Sequence, residues 1–108
     1  MTREFYVAGT LQGESTTYYL TGEIIETTPY VKGLKEGLSF YYAPDGITLK
    51  ELSYKKDLLH GPAVYYSTAG LLTMKGVYKH GAHYGVWKYY KEGRFLFEET
   101  FPRPEDRN

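Results

Sequence analysis

One pattern of glycines and aromatics restricts this chain more than anything else in it: stepping back 24 residues from Gly85 meets Gly61, Gly37 and Gly13 in turn. The same step carries Tyr90 to Tyr66, Tyr42 and Tyr18, and Tyr78 to Tyr54, Tyr30 and Tyr6. Another glycine column, Gly22, Gly46 and Gly70, is met in the last copy by Gly93 after a one-residue deletion, and Phe101 then closes the tyrosine series one place early. Self-similarity at such a period means one supersecondary unit stacked on copies of itself, since a single unit cannot bury its own apolar side. The chain reads as one repeat domain over residues 1–101, with copies starting near Gly13, Gly37, Gly61 and Gly85, followed by a polar tail over 102–108 that Pro102 and Pro104 separate from any ladder.

Each unit reads as strand, turn, strand. Leu38-Ser39-Phe40-Tyr41-Tyr42, Pro44-Asp45-Gly46 and Ile47 to Tyr54 show it best. Strand-forming aromatic and branched residues flank a turn in which Pro presets one dihedral, Asp bonds locally and Gly accepts positive φ. Between units lie short connectors, Val31-Lys32-Gly33, Lys55-Lys56-Asp57 and Lys79-His80-Gly81. Short links at both ends of every strand leave only an antiparallel meander, so the expected fold is all-β: about eight strands plus a leading edge strand in an open, twisted or curled sheet roughly 40 Å across. Pro29 belongs at a bulge or an unpaired position, because it has no N–H to give a ladder.

Strand alternation puts Tyr18, Tyr42, Tyr66 and Tyr90, with Phe40 and Val64, on one face and Tyr41, Tyr65, Tyr89 and Trp87 on the other. The tyrosines of the repeat columns, including Tyr30, Tyr54 and Tyr78, are expected to be structural. The glycines Gly13, Gly37, Gly61 and Gly85 are expected where a neighbouring ring crosses the backbone. Trp87, the only tryptophan, stands where other copies carry Ser or Ala, and with Lys88, Tyr89, Tyr65 and Tyr41 it makes the candidate partner-binding set, since Trp and Tyr dominate binding hot spots.

Thirteen basic residues balance thirteen acidic ones, which argues against binding a nucleic-acid backbone or an anionic bilayer. Cysteine is absent, so disulfides and thiolate chemistry are excluded. No signal peptide or apolar span is read near the N-terminus, and the expected location is the cytoplasm. His80 and His83 near a connector lack a further metal ligand beside them, and His60 stands at a position held by Glu36 and Tyr84 in neighbouring copies. Glu98 and Glu99 are strand neighbours that point to opposite faces, so they cannot act on one substrate. Without a phosphate loop, a nucleophile triad or a dinucleotide fingerprint, the reading is of a protein without enzymatic activity, cofactor or metal.

The string Tyr-x-x-Gly-x-x-x-Gly-x-x-x-Tyr-Tyr-x-x-x-Gly, read from Tyr30, from Tyr54 with Asp57 in place of Gly, and from Tyr78, resembles the MORN variant repeat. The resemblance covers essentially the whole chain, most closely at Leu59-His60-Gly61-Pro62 and at Tyr84 to Tyr90, and least in the first copy, where Thr17 replaces the Tyr of later copies. It implies a sheet of β-hairpin repeats. It also implies an antitoxin or immunity protein that masks a cognate toxin by contact alone, since many bacterial proteins built of such repeats carry that label. A scaffold or membrane-associated repeat that self-assembles through its edges is the alternative expectation, and a carbohydrate-stacking module is a third.

Overall fold

The computed structural model describes residues 2–4, 6, 7 and 9–102. Its strands are β1 (Thr2–Arg3), β2 (Tyr6–Val7), β3 (Thr10–Leu11), β4 (Gly13–Tyr18), β5 (Ile24–Val31), β6 (Leu34–Lys35), β7 (Gly37–Tyr42), β8 (Thr48–Lys55), β9 (Leu58–Tyr66), β10 (Leu72–Lys79), β11 (Ala82–Lys91) and β12 (Arg94–Phe101). The main sheet runs β1-β4-β5-β7-β8-β9-β10-β11-β12 with every pairing antiparallel, while β6 extends the line of β7 along β5 and β2 pairs β3. This is the expected meander of eight strands and a leading edge strand, open rather than closed into a barrel, with no helix among the described residues. Of the expected tail over 102–108, all but Pro102 lies outside the described residues.

The turns follow the repeat. At the hairpin ends, Gly22, Gly46 and Gly70 donate to the carbonyls of Tyr19, Ala43 and Ser67 at 3.0, 2.9 and 2.9 Å, and each glycine has positive φ. That is a type I turn closed by a glycine bulge. The deletion in the last copy shortens this loop to Glu92 and Gly93, with φ of 51° and 79°, a two-residue hairpin turn. The connectors are of the same short kind, at Lys32-Gly33, Lys56-Asp57 and His80-Gly81, all at positive φ. Column residues one repeat upstream hold them: Gln12 Oε1, Glu36 Oε1 and His60 Nδ1 accept from the backbone N–H of Lys32, Lys56 and His80 at 2.9, 3.3 and 3.2 Å. The position before Gly13, Gly37 and Gly61 is therefore a turn-holding position.

Two kinds of bulge recur. On each return strand one residue, Ile25, Leu49, Thr73 or Leu96, is skipped in the pairing with the preceding strand. At the column glycines the incoming strand carries excess residues: His60-Gly61-Pro62 lie opposite Ser53 alone, and Gly85-Val86-Trp87 lie opposite Gly76 alone. Gly37 and Gly61 have φ of 113° and 112°, where an L side chain is strained. Pro29 falls at the same kind of break, between its strand's pairing with β6 and with β7, as its missing N–H requires.

The molecule measures 46 × 36 × 15 Å, and a 15 Å slab is one sheet with its side chains. A core nevertheless exists on one face, arranged in three rows. The central row passes from Ser15 through Thr28, Ser39, Leu52, Ala63 and Gly76 to Trp87. One flanking row holds Tyr41, Lys50, Tyr65, Met74, Tyr89 and Phe97; the other holds Tyr30, Tyr54, Leu59, Tyr78, His83 and Phe101. Rings from the flanking rows lean together over the small central residues: the hydroxyls of Tyr65 and Tyr78 meet at 2.8 Å and those of Tyr41 and Tyr54 at 3.5 Å. Ser39, Ala63 and Trp87 are at most 1% exposed beneath them. The central row is polar at its start, where Thr28 and Ser39 share a hydroxyl hydrogen bond of 2.6 Å, and becomes apolar towards Trp87.

Candidate binding surface

The face division read from alternation holds, but its assignment to core and contact is reversed. Tyr41, Tyr65 and Tyr89, expected to meet a partner, are half-buried and pack on the core formed by Leu52, Ala63, Tyr78 and Trp87. Trp87 is fully buried, so the leading contact candidate is a core residue. Its Nε1–H donates to the carbonyl of Val77 at 2.9 Å, and its ring lies against Tyr78, His83 and Phe101. The physical reason is Gly76: a Cβ there would sit 2.2 Å from the indole. One residue of the pair vacates the volume that the other fills.

Lys88 alone of the candidate set is exposed, and it lies on the opposite face, directly across from Lys75 on β10 and Glu98 on β12. Tyr18, Tyr42, Tyr66 and Tyr90 stay half-buried at the hairpin ends of that face. Tyr66 donates to Glu51 at 2.9 Å, and burial, with this contact second, raises its hydroxyl above its ordinary range. Each column glycine does register with an aromatic, Gly13 with Tyr30, Gly37 with Tyr54, Gly61 with Tyr78 and Gly85 with Phe101. What excludes a side chain is different from the expected ring. A Cβ on Gly37 would meet Pro29 at 3.0 Å, one on Gly61 would meet Ser53 at 3.1 Å, and both glycines have positive φ.

The two histidines near the last connector lie in different surroundings. The ring of His80 lies 5.0 Å from that of His60, whereas His83 packs at 4.4 Å from Trp87 and 4.9 Å from Phe101. Glu98 and Glu99 do part across the sheet, Glu98 pairing with Lys88 and Glu99 with Trp87. No helix among the described residues is long and apolar enough to cross a membrane.

A run of exposed apolar side chains lies where the repeat columns do not mark it. On β12, Phe95 and Leu96 are each 56% exposed and Phe97 is 48% exposed. This strand pairs with β11 alone among the described residues, so its other side has no strand partner among them. Phe97 stacks on Tyr89 at 4.6 Å and Phe95 meets Tyr90 edge-on at 5.9 Å, which fixes both rings on opposite faces of one edge. The signal was present in the sequence as the apolar run Phe95-Leu96-Phe97. No protein-family model matches the sequence, and no curated protein matches it.

Proposed function

We propose that this chain is a non-enzymatic protein-binding module of the cytoplasm whose contact is made at β12. The observation that carries the reading is the apolar edge itself. A strand with no strand partner on its outer side among the described residues, and with exposed Phe95, Leu96 and Phe97, suits a partner that adds a strand, with ring pockets supplying selectivity. Self-pairing is disfavoured. Beyond the bulge at Leu96, a second copy laid antiparallel on the regular part of β12 in the register centred on Glu98, or in the one centred on Glu99, sets that glutamate against its own equivalent. The finer reading, an antitoxin or immunity protein that covers a cognate toxin, rests on the resemblance of the repeat to MORN variant repeats, and a preformed rigid edge suits masking without chemistry.

The test is co-expression of the tagged chain with the product of the adjacent gene, followed by capture. One partner retained in stoichiometric amount and lost on Phe97→Asp is the expected result. A partner held equally by Phe97→Asp sinks the edge reading, and recovery of no protein partner sinks the module reading.

A further inference from the structure

The face away from Trp87 carries a second feature. Opposite the bulge at Gly76, a groove of about 240 Å³ opens between Pro62, Val64, Val77 and Val86, with Lys75 and Lys88 at one end. Val77 and Val86 are 38% and 45% exposed, although they stand mid-strand. The two lysines are direct cross-strand partners. Like charges so placed destabilise a sheet, with Cβ atoms only about 4.5–5.5 Å apart. Two acids stand near them, one directly opposite Lys88 and one a strand beyond Lys75. Glu51, the acid across Val64 from Lys75, is held by the Tyr66 hydroxyl, and Lys75 reaches over the Tyr90 ring at 5.8 Å. Glu98 faces Lys88 in register, yet neither lysine forms an ion pair with a described residue.

We infer that this groove takes an extended segment of the partner protein in which an acidic residue stands two places from a branched aliphatic one. The spacing comes from the strand. Val77 lies two residues beyond Lys75 on the same face, about 6.8 Å along β10. A ligand chain running parallel to β10 repeats that distance between its own residues i and i+2. Its carboxylate then sits over the lysine pair while its aliphatic side chain enters between Pro62, Val77 and Val86. The carboxylate relieves the repulsion within the lysine pair, so the same charges that weaken the free sheet select the ligand. This inference rests on the reading of the chain as a protein-binding module and adds a surface distinct from β12.

The experiment is selection of a phage-displayed library of random twelve-residue peptides on the immobilised full chain, with the charge-reversed chain Lys75→Glu/Lys88→Glu as the comparison. Enriched peptides are expected to share Asp or Glu two places from Ile, Leu or Val. As free peptides they should bind the reversed chain at least tenfold more weakly, and changing their acid to Lys should restore binding to it. Buried Trp87 emission shows whether the reversed chain is folded, and Lys75→Gln/Lys88→Gln serves if it is not. Peptides without an acid, equal binding to both chains, or no enrichment overturns the inference. If it fails alone, partner capture stays sensitive to Phe97→Asp and indifferent to the lysines; if the module reading fails, neither surface retains any protein.

Discussion

Gly76 and Trp87 show how two residues share one volume. A Cβ at Gly76 would overlap the indole, so Gly76→Ala should destabilise by about 1–3 kcal/mol, the usual cost of overpacking. Combining it with Trp87→Leu should cost less than the sum of the single changes, because the second change empties the space the first one invades. Urea unfolding of the three variants decides this, and additive losses would show that the pair does not share a volume. Gly61 is constrained in another way, by φ of 112° and by Ser53 at 3.1 Å from an added Cβ, so Gly61→Val is expected to lower the urea midpoint by at least as much as Tyr78→Phe. The tyrosine roof sets a pH limit. Burial, with the hydrogen bond to Tyr78 second, pushes the Tyr65 hydroxyl well above its ordinary 10.0, and burial, with Tyr41 second, does the same at Tyr54. The folded state thus prefers the neutral phenols more than the unfolded state does. Their contribution is fully present below about pH 10 and is lost as pH rises through the raised folded values. Tyr65→Phe should make the decline of the urea midpoint above about pH 10 shallower; an unchanged slope would remove Tyr65 from the account.

At the scale of the strand and its turn, the connectors tolerate left-handed residues because a two-residue hairpin turn needs them. Lys56, with φ of 48°, is a costlier occupant than Asn, whose short amide is at ease in that region. Lys56→Asn should therefore stabilise by about 0.5 kcal/mol, read as a small rise in melting temperature. Asp57 should be kept, since its Oδ1 accepts from Lys35 N–H at 2.7 Å. The edge strand β12 is where an element, rather than a residue, carries the proposed role. Leu96 is the skipped residue of its bulge, so Leu96→Lys should leave the fold intact, reduce partner capture and lower any tendency to aggregate. Sedimentation together with capture reads both effects, and unchanged capture would move the contact away from β12.

The whole molecule is a slab. Its Cα radius of gyration is 15.9 Å, against about 13 Å for a compact domain of this length. Small-angle scattering of the isolated chain should give a disc-like particle of that larger size, and a compact sphere would contradict a one-layer sheet. Its core is the thin strip beneath the tyrosines, and the single Trp87 reports on it: its emission should be blue-shifted and poorly quenched by acrylamide until the sheet unfolds.

By itself the sequence determined the period, the strands, the turns, the meander and the division of residues between two faces. All of these are local: turn chemistry and alternation act over a few residues, and the 24-residue step repeats them. Which face is the core was decided only in three dimensions. Tyr41 and Tyr54 are 13 residues apart, as are Tyr65 and Tyr78, and they touch only after adjacent strands pair and both rings lean over small residues between them. Trp87 went the same way: read alone it is a hot-spot residue, and read beside Gly76 it is a plug, a relation visible in the sequence only once their hairpin is put in register. The bulges did the rest. They reset the pairing by whole residues at Gly61 and Gly85, leaving Lys75 and Lys88 opposed beside a groove, while β12 pairs with β11 alone among the described residues.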